Sequence, residues 1–279
     1  MNSIEVISMK HYTMDYVVDY RDVDQYFDLK AESLLQILST VSTYDEILGF
    51  GMKPGYMAEW DMAWVLYQWK IELNDPKQYA RKIRIHTLPV LKKDIYSYRY
   101  YLLEDLEGNE IGKALSQWVA VDLRKRRIGR IPQPVVEIIN GDGQLNEYQD
   151  RITKVDLKPL RRENVDFDFE WKIPVLYSDI DSNQHVNNAM YARWATETMH
   201  AYDSSWMNSK YHNSINIVYK KEKQLGGSVI SKVYLEGDRS YHEIIDEDGT
   251  LLTLIEIKWV DRARHQVDFS DYDFAAVML

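Results

Sequence analysis

The chain has 279 residues, 45% of them hydrophobic and 28% charged, which is typical of a globular protein and excludes a fibrous or disorder-dominated one. Its formal net charge of −10 argues against binding to nucleic acid or to an anionic membrane surface, because both require a basic surface. The absence of cysteine excludes disulfides, thiolate metal sites, iron–sulfur clusters and a cysteine nucleophile.

The apolar runs of the sequence are short. None approaches the roughly 20 residues that cross a bilayer, so we expect no membrane insertion. Residues 1–16 carry charged and polar groups throughout, unlike a secretory signal, and they lack the arginine and serine enrichment of a transit peptide. These features predict a cytoplasmic protein.

The first half of the chain opens with a tyrosine- and aspartate-rich stretch and continues as a helix. Leu34, Leu38 and Val41 recur near the 3.6-residue period, which predicts a helix over residues 31–48. Strand-like alternation then predicts four strands, and a turn at residues 107–109 joins the last two as a hairpin. The predicted strands cover residues 63–73, 81–90, 95–106 and 110–122.

The second half shows the same order of elements. A strand over residues 171–180 precedes a helix over residues 188–207. Four strands follow, and Asp248 and Gly249 form the turn of the last hairpin. These strands cover residues 215–222, 229–236, 239–246 and 251–260.

Residue matches between the halves indicate a duplication. The pattern Tyr-x-Asp-hydrophobic-Asp ends at Asp24 in the first half and at Asp181 in the second, an offset of 157 (181 − 24). A glycine and a tryptophan 10 positions apart recur as Gly108 and Trp118 (118 − 108) and as Gly249 and Trp259 (259 − 249). The alternative is two unrelated α+β modules.

The repeated order of elements predicts an α+β fold of two tandem modules. In each module a curved antiparallel sheet wraps one long helix, and the exposed sheet edges favour packing of the modules side by side. We place the first module at residues 1–140, a connector at 141–168 and the second module at 169–279.

Three polar residues precede the helix of the second module. Asp181, Asn183 and His185 alternate with other residues, which is the period of an extended strand and would point them to one side. Asn187 or Asn188 then caps a helix whose first backbone N–H groups are free. A carboxylate, an amide and an imidazole beside such N–H groups could polarise a carbonyl and activate a water molecule.

The string from Asp181 to Asn188, DSNQHVNN, followed by Tyr191 and Trp194, resembles the signature of acyl-ACP thioesterases. These are tandem hot-dog enzymes of plant plastids and bacteria. Weaker similarities lie at residues 64–65, 112–121, 126–132 and 219–222. The resemblance implies two hot-dog modules and hydrolysis of a fatty acyl thioester on acyl carrier protein (ACP), as part of fatty acid biosynthesis. It implies ACP as the partner and no cofactor. Two modules in one chain already supply a paired sheet, so we expect a monomer or a homodimer.

The resemblance also suggests roles for single residues. Glu222 matches the second acidic residue of the family, and we expect it to activate water with His185 as its partner or proton shuttle. Asn183 would orient His185, the water or the thioester, and Asp181 would act electrostatically. Asn187 and Asn188 would bind substrate at the start of the helix. Whether a carboxylate activates water or attacks directly stays open.

One family position differs in this chain. The residue after the glutamate is often cysteine in the family, and here it is Lys223, so a thiolate mechanism is excluded. We expect little contact between Lys223 and Glu222, because neighbouring strand residues face opposite ways. A metal site of Asp179, Asp181 and His185 is conceivable by ligand type, but the asparagine and the helix favour a metal-free site.

The first module serves as an internal comparison. At the offset of 157, Tyr26 stands in place of Asn183 and Asp28 in place of His185, so we expect this module to be catalytically silent. In the family such a module holds the acyl chain. Trp64 could line the tunnel, together with Leu34 and Leu38, although all three also suit an ordinary core.

Two alternatives to ACP hydrolysis stay open. The chain could act on acyl-CoA, which carries the same pantetheine arm, or it could bind acyl groups without catalysis. A basic run at residues 124–130 could receive the acidic carrier protein, although by default such a run is a solvated strand end.

Overall fold

The computed structural model of the protein describes residues 11–140, 157–162 and 164–262. The chain divides into two compact units. The first comprises Met1–Tyr16, Ile37–Trp69 and Lys82–Leu157, and the second comprises Val17–Gln36, Lys70–Arg81 and Lys158–Leu279. Two segments of the first half of the sequence therefore belong to the second unit. The module boundaries at residues 140 and 169 stay a prediction, because most of the predicted connector lies outside the described residues.

The first half contributes six strands, which are β1 (Tyr12–Val17), β2 (Met62–Leu73), β3 (Lys82–Lys92), β4 (Tyr96–Glu104), β5 (Glu110–Asp122) and β6 (Arg127–Ile128). In the first unit the strands lie in the order β1, β3, β4, β5, β2, and β6 pairs with β5. The β3, β4 and β5 strands pair antiparallel. Ile83 and Ile85 alternate on the buried face of β3, opposite a buried Leu103 on β4.

Two helices accompany these strands. Helix α1 (Ala31–Tyr44) is followed by one π-helical turn, Asp45–Gly49, and helix α2 (Gln133–Asn140) comes after β6. The helix predicted over residues 31–48 is therefore confirmed, with its last turn widened to the π form. No helix among the described residues is both long and apolar enough to cross a bilayer.

The second half contributes five strands and two helices. The strands are β7 (Phe169–Pro174), β8 (Lys210–Tyr219), β9 (Ser228–Glu236), β10 (Arg239–Asp246) and β11 (Leu251–Asp261), and the helices are α3 (Asn188–Tyr202) and α4 (Ser204–Ser209). In the second unit the strands lie in the order β7, β9, β10, β11, β8. Helix α3 packs on this sheet through Trp194, Ala195 and Met199, which are fully buried. Thr198 Oγ1 donates to Ser231 Oγ at 2.7 Å within the same core.

The two halves repeat one strand order. β1, β3, β4, β5 and β2 of the first half correspond in sequence to β7, β9, β10, β11 and β8 of the second. Both predicted hairpin turns carry a glycine in the left-handed region, with φ of 86° at Gly108 and 84° at Gly249. Each glycine N–H donates to the aspartate that opens the turn, Asp105 O at 3.2 Å and Asp246 O at 2.9 Å. The duplication and the α+β class are confirmed.

Four predicted boundaries lie more than two residues from the observed ones, and one of them is the start of β8, which is at Lys210 and not at residue 215. The strand predicted over residues 171–180 ends at Pro174, since proline has no N–H for a ladder. The helix predicted over residues 188–207 breaks at Asp203, whose carboxylate caps α4 by accepting from Ser205 N and Trp206 N. β8 ends at Tyr219 because Lys220 N and Lys221 N both donate to Leu252 O, which interrupts the ladder. Glu222 therefore lies in a loop.

A buried histidine should make the second unit sensitive to acid. His242 is fully buried, and burial lowers its pKa from 6.5 to about 3. The unfolded chain therefore takes up a proton near pH 6.5 while the folded chain does not. The contribution to stability is complete above pH 6.5 and is lost by about 1.4 kcal/mol for each pH unit as the pH falls towards 3.

We expect His242→Gln to flatten the fall in unfolding free energy between pH 7 and pH 4.5, measured by urea denaturation. The exposed His200→Gln serves as the control and should leave that fall unchanged. Identical pH dependence in wild type and His242→Gln would contradict the assignment.

Candidate active site

Asp181 to His185 form a closed turn. Asp181 N donates to His185 O and Gln184 N donates to Asp181 O, both at 3.0 Å, while Asp181 Oδ1 accepts from Asn183 N at 2.8 Å. Gln184 has a φ of 68°. The extended strand expected from the alternating pattern was therefore wrong, because the aspartate side chain bonds locally and supports a turn.

The turn is anchored by Asp179, at the end of a short 3₁₀ helix (Tyr177–Asp179). The buried Asp179 carboxylate accepts from Leu176 N at 2.9 Å and from Arg193 Nη2 on α3 at 2.5 Å. Asp179 O also accepts from Asn187 N at 2.8 Å. Asp179 is thus a structural anchor, and its pairing with Arg193 does not suit the role of metal ligand.

Helix α3 begins at Asn188. Asn187 is its N-cap, and the Asn187 side chain accepts from Ala189 N at 2.9 Å, as predicted. Asn187 O accepts from Met190 N at 2.9 Å. Asn188 O accepts from the hydroxyl of Tyr219 at 2.9 Å, which fixes the helix start against the end of β8. Substrate binding by Asn187 and Asn188 stays a prediction.

His185 lies between two carboxylates. Its Nδ1 is 3.9 Å from Asp181 Oδ1 and 3.5 Å from Val186 O, and its Nε2 is 3.6 Å from Glu222 Oε1. The side chains of His185 and Asp181 are 20% and 19% exposed, whereas that of Glu222 is 61% exposed. Both carboxylate distances exceed a direct hydrogen bond, so one water molecule or a small side-chain rotation would connect the groups.

The loop that carries Glu222 is held to the turn by backbone contacts. Val186 N donates to Lys223 O at 2.7 Å, and His185 forms a β-bridge with Gln224. Lys223 Nζ donates to Asp246 at 2.8 Å, so the lysine that stands at the family's cysteine position stabilises the loop on β10. The loop therefore aims the Glu222 carboxylate at His185.

The structure thus brings Asp181, His185 and Glu222 together. Asn183 is exposed, and among the described residues its contact with the cluster runs through its backbone N–H rather than its amide. Its proposed orienting role stays a prediction. Sequence reasoning missed Arg193 and Gln224, and no motif or spacing marks either of them.

The same turn occurs in the first half. Asp24 N donates to Asp28 O at 2.8 Å, Phe27 N donates to Asp24 O at 3.0 Å, and Asp24 Oδ1 accepts from Tyr26 N at 2.8 Å. Phe27 has a φ of 62°, like Gln184 in the second copy. Tyr26 and Asp28 therefore take the places of Asn183 and His185, and this copy of the turn has no imidazole.

Trp64 lines a cavity of about 190 Å³ in the first unit. Its Nε1 donates to Tyr56 Oη at 2.8 Å, and Phe50 and Trp118 form other walls. Leu34 and Leu38 are fully buried core residues and do not line this cavity. Acyl binding by Trp64 stays a prediction.

Comparison with known proteins identifies the family. The profile of the acyl-ACP thioesterase N-terminal domain matches residues 9–139, and that of the C-terminal domain matches residues 162–261. This chain belongs to the acyl-ACP thioesterase family. The family resemblance inferred from the Asp181 to Asn188 string is confirmed.

Two relatives with curated functions are plant proteins. A chloroplastic acyl-[acyl-carrier-protein] hydrolase of Cuphea viscosissima is 25% identical over 223 residues, which cover 76% of this chain and 51% of the relative. A chloroplastic palmitoyl-acyl carrier protein thioesterase of Arabidopsis thaliana is 28% identical over 156 residues, which cover 54% of this chain and 36% of the relative. The matches thus span about half or less of these relatives.

Solved structures of the family share the fold. The 12:0-ACP thioesterase of Umbellularia californica gives a TM-score of 0.75 at 17% identity, covering 91% of this chain and 99% of the other. An acyl-ACP thioesterase of Bacteroides thetaiotaomicron gives a TM-score of 0.73 at 19% identity, covering 90% and 98%. The prediction of hot-dog modules for this acyl-ACP thioesterase family member is confirmed.

Proposed function

We propose that the protein hydrolyses fatty acyl-ACP to a free fatty acid and holo-ACP. The observation that carries this proposal is the placement of His185 between Asp181 and Glu222 at the start of α3, in a chain of the acyl-ACP thioesterase family. A thioester needs an activated nucleophile and a stabiliser for the developing oxyanion. In this proposal the carboxylates and His185 activate the nucleophile, and the start of α3 stabilises the oxyanion.

Glu222 is the proposed general base. Its carboxylate is the most exposed of the three groups, so a water molecule can reach it. The water oxygen attacks the thioester carbonyl carbon while its proton passes to Glu222. His185 Nε2, 3.6 Å from Glu222, orients the carboxylate and carries the proton onward.

The oxyanion is proposed to lie at the start of α3. Ala189 N and Met190 N already donate to Asn187, and this leaves the N–H of Asn188, the first helical residue, to face a ligand. The partial positive charge of the helix N-terminus adds to this donor. When the carbon–sulfur bond breaks, the pantetheine sulfur takes the proton returned through His185.

Asp181 supports the site from the other side of the imidazole. Its Oδ1 holds the turn through Asn183 N and lies 3.9 Å from His185 Nδ1. A negative charge at that distance stabilises the imidazolium that forms during proton transfer. Asp181 is therefore assigned a positioning and electrostatic role rather than that of the base.

The cavity of the first unit is the proposed acyl site. Phe50, Met52, Trp64 and Trp118 give it apolar walls, as a hydrocarbon chain requires. Glu46 and Arg99 also line it, with Arg99 Nη2 3.9 Å from Glu46 Oε1, so one wall of the cavity is polar.

The basic run at residues 124–130 is the proposed docking surface for the acidic carrier protein. Arg124 pairs with Asp61 at 2.6 Å and Lys125 pairs with Asp122 at 3.1 Å. Arg126, Arg127 and Arg130 are exposed and form no ion pair with any described residue. These three cations can meet carboxylates of a partner.

The test compares the same acyl chain on ACP and on CoA. We expect faster turnover on ACP, and we expect Arg126→Glu/Arg127→Glu to raise KM for acyl-ACP by about tenfold with kcat unchanged. Arg239→Glu/Lys258→Glu, an exposed pair on β10 and β11, makes the same change in net charge and serves as the control.

Three outcomes decide between the assignments. A preference for acyl-CoA would replace ACP as the substrate carrier. Unchanged KM in the Arg126/Arg127 variant would remove the docking surface. Tight binding of acyl-ACP without any release of fatty acid would favour a non-catalytic acyl-binding protein.

A further inference from the structure

A second cavity lies in the second unit, beside the first-half copy of the turn. It has a volume of about 280 Å³. Its lining includes the turn at Asp24 and Asp28, the N-terminus of α1 at Ala31, and His212 and Arg262. At the offset of 157, this turn and helix start correspond to those of the candidate active site.

Arg262 lines this cavity and bonds to the turn. Its Nη1 donates to Asp28, and its Nη2 donates to Asp24 at 3.1 Å and to Lys210 O at 3.1 Å. The guanidinium also stacks on the ring of Tyr26 at 4.2 Å. Its Nε has no hydrogen-bond partner among the described residues, although the side chain is only 7% exposed.

His212 has a second buried nitrogen that makes no hydrogen bond to a described residue. The residue is 6% exposed, and its Nε2 likewise has no partner within the described part of the chain. Burial lowers the pKa of His212 to about 4, so the imidazole is neutral at pH 7. Buried polar groups are normally paired, so two unpaired nitrogens, each with less than 1 Å² of accessible surface, in residues that line one cavity point to a group that accepts hydrogen bonds there.

The charges around the cavity select the type of ligand. Asp24 and Asp28 are matched by Arg262 and by Lys77, whose Nζ lies 2.5 Å from Asp28 Oδ1. The other charged groups lining the cavity are Lys30, Glu32 and Glu197, and burial raises the pKa of Glu32. With acids and bases nearly balanced, a neutral oxygen acceptor fits better than an ion.

We propose that this cavity is a second, non-hydrolytic site for a neutral chain that carries amide or carbonyl groups. A small shift of the two side chains would expose Arg262 Nε–H and His212 Nε2–H to a carbonyl oxygen, and Leu29 and Trp259 would pack against the chain. Because Asp28 replaces the histidine, bound thioester would not be cleaved.

The pantetheine arm is the occupant we propose, a choice that rests on the proposed function. The duplication gives this cavity the same turn and helix start as the site that would receive that arm. The arm is neutral and contains two amides, so it meets the requirements of charge and hydrogen bonding.

The test measures binding of free pantetheine to the full chain by calorimetry. We expect two pantetheine molecules per chain in the wild type. In His212→Leu binding at one site should weaken by about tenfold, as for the loss of one buried hydrogen bond, and His212→Gln, which keeps an N–H donor, should restore it. His242→Leu removes another buried histidine of the same unit and serves as the control.

Arg262→Lys is a second variant, which keeps the charge opposite Asp24 and Asp28 and removes the Nε–H. Arg262→Lys should weaken pantetheine binding at the same site as His212→Leu. Pantetheine binding that is absent, or that is equal in wild type, His212→Leu and Arg262→Lys, would overturn the proposal. So would preferential binding of octanoate, because it would show an anion site.

Failure of the proposed function has a different signature. Glu222→Gln should abolish release of fatty acid while the His212-dependent binding persists. A wild-type protein that binds pantetheine through His212 but hydrolyses no acyl-ACP would contradict the proposed function and leave this site standing.

Discussion

His185→Ala is expected to lower kcat for acyl-ACP by about two to four orders of magnitude, the usual contribution of a positioned acid–base group. The imidazole lies between Asp181 and Glu222, so its removal disconnects the base from its proton route. KM should change little, because no contact of His185 is assigned to the acyl chain or to the carrier protein. Release of free thiol from acyl-ACP measures both constants.

His200→Ala is the matched control, since His200 is an exposed histidine on α3, the helix that follows the turn carrying His185. It should retain full activity. A His185→Ala variant that keeps more than about a tenth of wild-type kcat would refute the catalytic assignment.

The same assay distinguishes the roles of the Glu222 and Asp181 carboxylates. Glu222→Gln should lose more activity than Asp181→Asn, because an amide at 222 cannot accept the proton of the water. Asparagine at 181 can still accept from Asn183 N and keep the turn. The reverse order would transfer the role of base to Asp181.

Arg99→Met is expected to lower the free energy of unfolding by about 3–5 kcal/mol. Arg99 on β4 is buried, and its Nη1 donates to Asp45 in the π-helical turn, with Thr87 Oγ1 at 3.4 Å as a second acceptor. Methionine would leave the fully buried Asp45 carboxylate without its cation. Urea denaturation measures the change.

Arg84→Met on the neighbouring strand β3 is the control. Arg84 makes a bidentate pair with Asp15, at 2.8 and 3.0 Å, but both side chains are about 40% exposed. An exposed pair contributes less than about 1 kcal/mol. Equal losses in the two variants would show that burial does not set the strength of the Arg99 pair.

Local sequence patterns predicted the sheet well because strands and hairpins are specified by nearby residues. β5 and β10 were predicted with their observed ends, and Gly108 and Gly249 mark turns that require a positive φ. The helix cap at Asn187 was equally local. Each of these features depends on the chemistry of a few neighbouring side chains.

The site was harder to predict, because its geometry depends on residues far apart in sequence. The spacing of Asp181, Asn183 and His185 fits a strand, but the bond from Asn183 N to Asp181 Oδ1 and two backbone bonds close it into a turn. Glu222 was placed on a strand, but two N–H groups that share Leu252 O end β8 before it. Arg193 acts through the buried Asp179, a contact that no periodicity reveals.

The interleaving of the two units along the sequence limits where the chain can be divided into fragments. Val17–Gln36 and Lys70–Arg81 precede the predicted connector in sequence, yet they belong to the second unit. A fragment that starts after the connector would therefore lack the Asp24 turn and the partners of Arg262. Because the second unit takes segments from both sides of the connector, we expect it to form only when both fragments fold together.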